Sequence, residues 1–184
     1  MSDIVVIVDA DVLAYRMAAA CEKRGIRVIS PTGDSRTYKN KTEFKDYLKT
    51  IDKMHLLDRF TIEPYQYAAD LGRACGMITG KIEQIKEFTF ADRIKFCVSG
   101  KSNFRDNLAL PEKYKGNRSE SIRPVYLREC KGFIYKNFDT EASDGSEADD
   151  YVIFRGYEEK EKGNEVVIGT CDKDSNAYSG LALS

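Results

Sequence analysis

Three short apolar runs, rich in β-branched residues, place the strongest constraint on the fold of this chain. They are IVVIV at 4–8, RIKFCV at 93–98 and EVVIG at 165–169. A strand with one solvated face alternates apolar and polar residues, whereas a strand buried on both faces is apolar throughout. Helix-like segments separate the runs, and strands that alternate with helices form a mostly parallel sheet. The sequence therefore predicts an α/β fold, with helices on both faces of a mostly parallel central sheet.

The segments between the runs carry signals for further elements. A helix is predicted over 12–23, where Ala and Met are spaced for burial, and Gly25 is expected to stop it. The turn-rich sequence PTGDS separates two short strands at 27–30 and 36–38, which predicts a β-hairpin. Because three strands make a thin sheet, one or two more are expected. Further helices are predicted at 42–53, at 64–88, at 124–137 and from Glu147 onward.

The length of the chain, 184 residues, suits one domain with a sizeable core. We expect a single domain over 1–184, with a hairpin and helical insertion at about 26–90 and a basic helical segment at about 101–137. No apolar run approaches the ~20 residues that a membrane span needs. The N-terminus also lacks the basic and apolar regions of a secretory signal. The sequence thus predicts a cytoplasmic protein with no membrane partner.

The use of cysteine and histidine disfavours two kinds of chemistry. The five cysteines are an odd number without a CxxC pair, which indicates buried, reduced thiols. His55 is the single histidine, so a Ser-His-Asp triad or a histidine-based metal site would depend on that one residue.

Charge is unevenly distributed along the chain, although the total is near zero. Residues 93–137 carry eleven Lys/Arg and four Asp/Glu, whereas residues 139–174 carry twelve Asp/Glu and four Lys/Arg. This asymmetry suggests a basic surface for an anionic ligand beside an acidic site for cations. Two solvated helical faces would give the same pattern.

Aspartates follow two of the predicted strands. Asp9 and Asp11 come directly after the first run, in VDADVLAYR, and Asp172 and Asp174 follow the third run, in DKD. The carboxyl ends of parallel strands meet at one edge of the sheet, where ligands gather. We therefore expect these acids to share a site. Either of the first two could instead cap the next helix, and this alternative applies more readily to Asp11 than to Asp9.

A further acidic group opens a predicted helix. In SEADD, Glu147 and Asp150 share one helix face and Asp149 lies beside it. Acids favour the first turn of a helix, and Ser146 could be its N-cap. Three acids in four residues nevertheless exceed what capping needs, and a bound cation would offset their repulsion. The predicted metal ligands are Asp9, Glu147, Asp149, Asp150, Asp172 and Asp174.

The predicted ligands offer only oxygen atoms, and this decides which metal is expected. Carboxylate oxygens suit Mg²⁺ or Mn²⁺, and without thiolate or imidazole the set disfavours Zn²⁺. Two such ions about 4 Å apart can activate water and stabilise a leaving oxygen in phosphodiester cleavage. The expected cofactor is therefore Mg²⁺ or Mn²⁺.

A basic segment with interleaved aromatic residues lies between the second strand and the acidic helix. Its cations could neutralise phosphates, and its aromatic rings could stack on bases. Lys101 or Arg105, placed near a metal, could also stabilise charge on a scissile phosphate. The segment contains the cations Lys101, Arg105, Lys113, Lys115, Arg118, Arg123 and Arg128 and the aromatic residues Phe104, Tyr114 and Tyr126.

The order of these motifs resembles that of the 5′-3′ exonucleases of tailed phages, which are related to flap endonucleases and to the 5′-nuclease domain of bacterial DNA polymerase I. The matching pieces are VDADVLAYR, SGKSNFR, YKGNR followed by RP, EADD, and a strand followed by DKD. They run from Asp3 to about Gly180. The resemblance implies metal-dependent hydrolysis at 5′ ends of duplex DNA, flaps or RNA–DNA primers. It also implies the host-cell cytoplasm, if the chain is phage-encoded.

The resemblance further implies a role for each matching side chain. Lys101 and Arg105 are expected to act catalytically on the scissile phosphate. The six acids named above match the metal ligands of the family. Nucleic-acid binding is expected from Tyr114, Lys115, Arg118 and Arg123.

Two features depart from the family pattern. Many relatives have an aspartate where this chain has Ser99-Gly100, and the family continues past DKD into a helical hairpin that holds duplex DNA. The chain is thus expected to be a C-terminally short member, and a protein partner could supply the missing region. The alternatives are a non-catalytic nucleic-acid- or partner-binding remnant, one half of a split nuclease, and a PIN-type ribonuclease. Asp9-Ala10-Asp11 also suggests a phosphatase of the haloacid-dehalogenase type, but the Thr expected after the second Asp is missing.

Overall fold

The computed structural model describes residues 2–100 and 122–170, together with the backbone of residues 181–183. The chain divides into two compact units. The first comprises Met1–Ala20 and Asp70–Ser184, and the second comprises Cys21–Ala69. No helix in the described ranges is long and apolar enough to cross a membrane.

The described elements alternate between strands and helices along most of the chain. The strands are β1 (Ile4–Asp9), β2 (Glu22–Ile29), β3 (Ser35–Tyr38), β4 (Thr61–Ala68), β5 (Arg93–Val98), β6 (Thr140–Ala142), β7 (Glu165–Gly169) and β8 (Leu181–Leu183). The helices are α1 (Ala10–Ala20), α2 (Lys41–Thr50), α3 (Leu71–Thr89), α4 (Leu127–Asn137) and α5 (Ala148–Glu161), and a 3₁₀ helix spans Met54–Arg59.

A five-stranded sheet forms the centre of the first unit. Its strands lie in the order β6-β5-β1-β7-β8, and all four pairings are parallel. The three apolar runs of the sequence form its three central strands. This confirms the predicted parallel α/β sheet. Strands β6 and β8 are the one or two additional strands that were expected because three strands make a thin sheet.

Helices cover both faces of this sheet. From β1 the chain moves outward to β5 and β6 through α1, α3 and α4, whereas α5 leads back in the opposite direction to β7. Right-handed crossovers therefore place α5 on the face opposite the other three helices. On the α5 face, Val152 packs with Val5 and Ile7 of β1 and with Ile168 of β7. Odd-numbered positions of β1 thus point towards α5.

The second unit contains an antiparallel sheet in the order β3-β2-β4. One face packs against α2 and the 3₁₀ helix, around the buried residues Val28, Phe44 and Leu48. The rings of Phe44 and Phe60 meet edge to face, with their centroids 5.2 Å apart. The pairing of β2 with β3 confirms the predicted hairpin.

Two predicted helices have the wrong bounds. The helix predicted over 12–23 ends at Ala20, because the next residues pair as β2. The first part of the helix predicted over 64–88 is wrong, since Pro64 lies in β4 and α3 begins only at Leu71. The strand tolerates this proline because β4 is at the edge of its sheet, where a missing N–H breaks no pairing on the open side. The helices predicted at 42–53, at 124–137 and from Glu147 are confirmed with shifted ends.

None of the four described cysteines forms a disulfide bond. Cys21, Cys97 and Cys130 are buried and Cys75 is half-buried. The prediction of buried thiols is therefore confirmed for three of them, and Cys171 lies outside the described residues.

Candidate metal centre

Asp9 is the last residue of β1 and lies at the carboxyl edge of the sheet. Its side chain is buried, at 4% exposure, and Oδ1 accepts hydrogen bonds from the backbone N–H groups of Asp11 (2.9 Å) and Val12 (3.1 Å). The pKa of Asp9 is raised from 3.8 to about 6, with burial as the largest cause. The nearby charges of Asp11 and Asp149 contribute to the rise, and the two N–H donors oppose it. Ionisation of the Asp9 side chain is therefore less favourable in the folded protein than in the unfolded chain.

Asp11, in the first turn of α1, is held by a cation. Nζ of Lys131, in α4, lies 2.8 Å from Asp11 Oδ1. The contact has the distance of an ion pair but not the angles of a hydrogen bond, so Oδ1 accepts no hydrogen bond from the described residues. The alternative that made Asp11 rather than Asp9 the helix cap is wrong, because it is Asp9 that accepts the first N–H groups of α1.

The end of β5 is tied to the beginning of α5. Ser99 Oγ accepts the backbone N–H of Ala148 (3.0 Å), the first residue of that helix. The N–H of Gly100 donates to Ser143 Oγ (3.1 Å), and that hydroxyl donates to the carbonyl of Ser146 (2.6 Å). Ser99 thus supplies the capping oxygen from a neighbouring strand. The expectation that Ser146 is the N-cap is wrong, since Glu147 occupies that position without a side-chain capping bond.

The acids of α5 differ in their exposure and surroundings. Asp149 is half-buried and close enough to Asp9 to raise its pKa, whereas Asp150 is exposed. Oδ1 of Asp149 accepts the backbone N–H of Asp150 (2.9 Å). Among residues 2–100 and 122–170, no three Asp, Glu, His or Cys side chains lie close enough together to hold a metal ion. The described part of the predicted ligand set therefore brings together Asp9 and Asp149, and ligation by Glu147 and Asp150 stays a prediction.

Glu141 is an acid near this edge that sequence reasoning missed. It pairs in register with Cys97 of β5, which in turn pairs with Asp9 of β1. Glu141 accepts hydrogen bonds from Arg155 and from the Tyr151 hydroxyl (3.2 Å), so its charge is already compensated. Burial raises the pKa of the Cys97 thiol to about 12, with further contributions from Glu141 and Asp9, and the thiol stays protonated. The β6 strand of three residues is too short to give the periodicity that would have placed Glu141 here.

Several predicted site residues lie outside the described residues, and their roles stay predictions. Arg123 is described, and it is exposed four residues before α4 begins. The predicted residues outside the described ranges are Lys101, Arg105, Tyr114, Lys115, Arg118, Asp172 and Asp174.

The substitution Gly100→Ala is expected to lower the free energy of unfolding by about 2–3 kcal/mol, because overpacking at a rigid contact costs this much. A Cβ at this position would lie 2.0 Å from the backbone oxygen of Ser143, which cannot rotate away. Denaturant unfolding measures the change. The control is Gly132→Ala in α4, where a Cβ meets nothing within 4 Å and should stabilise the helix by up to about 1 kcal/mol. Equal effects at the two glycines would contradict the proposed tie between β5 and α5.

The fold is similar to that of the D15 protein of phage T5, in a crystal structure of that protein co-crystallized with metal ions. The similarity covers 93% of this chain and 50% of the T5 chain, with a TM-score of 0.51 and 15% sequence identity. This chain thus spans about half the length of the T5 protein. No protein-family model matches the sequence, and no curated protein matches it either. At this level of identity the comparison confirms the α/β fold.

Proposed function

We propose that the chain hydrolyses phosphodiester bonds at the 5′ ends of duplex DNA, flaps or RNA–DNA primers, with Mg²⁺ or Mn²⁺ as cofactor. The observation that carries this proposal is the environment of Asp9. It is a buried carboxylate with a raised pKa, at the carboxyl end of a central strand and beside Asp149. Strongly perturbed acids of this kind cluster at functional sites. The motif order of the phage exonucleases and the fold shared with the T5 D15 protein support the same function.

The chemistry of the donor set fits a hard divalent cation. Asp9 and Asp149 present oxygen atoms, and their negative charges repel each other. The nearby cation Lys131 is paired with Asp11 rather than with Asp9. A divalent ion between Asp9 and Asp149 would offset their repulsion, and Asp172 and Asp174 are proposed to complete the ligand set.

Each group of residues has a distinct part in the proposed reaction. When bound, Mg²⁺ or Mn²⁺ polarises phosphoryl oxygens and lowers the pKa of a water molecule. Asp9 and Asp149 would hold that ion at the edge of the sheet and would thereby position the reacting phosphate. Lys101 and Arg105 are proposed to neutralise charge on the scissile phosphate. Tyr114, Lys115, Arg118 and Arg123 are proposed to hold the strand.

Cleavage of a 5′-labelled duplex and of a 5′-flap substrate tests this function. We expect products with Mg²⁺ or Mn²⁺ and none with chelator. In Asp149→Ala/Asp150→Ala the rate should fall at least about 100-fold, since even the loss of an outer-shell partner costs a metal site 10–100-fold.

The control for this variant removes two carboxylates elsewhere in the same unit. Glu161 and Glu165 are exposed, at the end of α5 and the start of β7. Glu161→Ala/Glu165→Ala changes the net charge equally and should cleave at the wild-type rate. Binding of both substrates without cleavage by the wild-type chain would contradict the catalytic proposal and identify a nucleic-acid-binding protein.

A further inference from the structure

The antiparallel sheet of the second unit has one covered face and one exposed face. In an antiparallel pair, residues directly opposite each other point to the same face. Ile26, Val28, Tyr38 and Ile62 point towards α2 and the 3₁₀ helix. The alternate residues form the other face, here called the outer face. It comprises Lys23, Gly25, Arg27, Ile29, Ser35, Thr37, Thr61, Glu63, Tyr65 and Tyr67.

Aromatic rings and cations are interleaved on the outer face. Tyr65 and Tyr67 are two residues apart on β4, so their rings point the same way. Tyr67 is 59% exposed and lies directly opposite Lys23 of β2. The guanidinium of Arg27 lies over the half-buried ring of Tyr65, 5.3 Å from its centroid. Between the two cations lies Gly25, which has no side chain, and a Cβ at this position would lie 2.4 Å from the backbone oxygen of Tyr38.

We propose that the outer face binds single-stranded nucleic acid, with bases against Tyr67 and Tyr65 and phosphates near Lys23 and Arg27. Aromatic rings flanked by basic residues provide the two interactions that unpaired strands use, namely base stacking and phosphate neutralisation. Exposed sheet faces with paired aromatic side chains are one of the platforms on which single strands stack. This binding does not depend on the proposed cleavage chemistry.

The composition of the outer face favours a single strand over other partners. The bases of a duplex are stacked on one another, so they cannot reach two adjacent tyrosine rings. A protein partner would favour a centre depleted of charge, whereas Lys23, Arg27 and Glu63 lie among the rings of this face. The second unit carries ten Lys/Arg and seven Asp/Glu, and this positive excess complements phosphate.

Fluorescence anisotropy of the full chain with labelled oligo(dT), the matching oligo(rU) and a duplex, all in chelator, tests the proposal without cleavage. Tyr67→Ser should weaken binding of a single strand about tenfold, as expected for the loss of one stacked base. Binding of the duplex should be unchanged. The oligo(dT) and oligo(rU) arms show whether DNA or RNA is preferred. The double variant Lys23→Gln/Arg27→Gln should also reduce the slope of log affinity against log salt concentration by about 1–2, because one or two phosphate contacts are lost.

Two matched variants serve as controls. Tyr135 of α4 is also 59% exposed, so Tyr135→Ser removes an equally exposed ring from another element. Lys41→Gln/Lys45→Gln removes two exposed cations from α2, in the same unit. The proposal is overturned if the outer-face variants bind single strands as tightly as the wild-type chain. It is overturned equally if both sets of variants lose the same affinity, or if the wild-type chain binds no single strand.

Discussion

Replacing Asp9 by Asn is expected to abolish metal-dependent cleavage while making the metal-free protein more stable, by about 2–3 kcal/mol. Burial holds the pKa of Asp9 near 6 instead of 3.8, and a shift of one unit corresponds to about 1.4 kcal/mol. Asparagine removes the buried charge, and its side-chain oxygen can still accept the N–H groups of Asp11 and Val12. Denaturant unfolding in chelator measures the gain.

The sign of the pH dependence follows from the raised pKa of Asp9. The folded protein holds the Asp9 proton more tightly than the unfolded chain does, so ionisation of Asp9 opposes folding. This cost is complete above a pH of about 6 and is absent below about 3.8. The wild-type protein and Asp9→Asn should therefore differ most at neutral pH and converge as the pH falls towards 4.

A bound metal should make the wild-type protein more stable than Asp9→Asn, the reverse of their order without metal. Mg²⁺ or Mn²⁺ would stabilise the wild-type protein, because a ligand that binds the folded state raises the free energy of unfolding. It should leave Asp9→Asn nearly unchanged. The control Asp150→Asn, at an exposed position, should change the metal-free stability by no more than about 0.5 kcal/mol. If metal-free Asp9→Asn is less stable than the wild-type protein, the buried charge of Asp9 does not destabilise the fold as we infer.

Replacing Glu159 by Gln is expected to lower the free energy of unfolding by about 3 kcal/mol at neutral pH. Glu159 is 1% exposed near the end of α5. Its carboxylate accepts hydrogen bonds from Lys162 Nζ (2.8 Å) and Asn164 Nδ2 (2.8 Å), and Lys95 Nζ lies 3.3 Å away. The first of these bonds, supported by the others, lowers the pKa of Glu159 to about 2. Glutamine keeps the shape but removes the closer of the two carboxylates that face Lys95, and Oε1 of Glu141 lies farther away, at 3.9 Å.

The pH dependence at Glu159 has the opposite sign to that at Asp9. A lowered pKa means that the ionised form stabilises the folded state. This contribution is complete above a pH of about 4.5 and is lost as the pH falls towards 2. Unfolding curves of the wild-type protein and Glu159→Gln should thus converge only in strong acid. The exposed neighbour Glu161→Gln is the control, with an expected change within about 0.5 kcal/mol. A similar loss from both variants would rule out a specific role for the buried cluster.

The parts of the fold that could be predicted are those with one dominant signal. The runs that form β1, β5 and β7 are short, apolar and rich in β-branched residues, which is the pattern of strands buried on both faces. Strand β4 was missed because Pro64 and the adjacent polar residues do not look like a strand, and only its position at the edge of a sheet permits them. Whether such a segment forms a strand depends on pairing partners that are distant in the sequence.

The position of Asp9 could be predicted from the sequence, whereas the contacts that support it could not. The position of Asp9 after a buried strand placed it correctly at the sheet edge. The hydrogen bond from Ala148 of α5 to Ser99 and the ion pair between Lys131 and Asp11 join residues far apart in the chain. No local sequence pattern predicts such contacts. Glu159 shows the same limit, because its surroundings EEKEK are typical of a solvated helix end and yet its side chain is buried.

The helix-capping role of Asp9 restricts how this residue can coordinate a cation. Oδ1 already accepts two N–H groups, which occupy both of its lone pairs, so Oδ2 is the oxygen that remains for an ion. Asp9 can therefore act as a monodentate ligand but not as a bidentate one without releasing the start of α1. Monodentate carboxylates suit the small octahedral shell of Mg²⁺, whereas Ca²⁺ readily takes both oxygens of one carboxylate. At the proposed metal site, this helix cap would therefore favour Mg²⁺ over Ca²⁺.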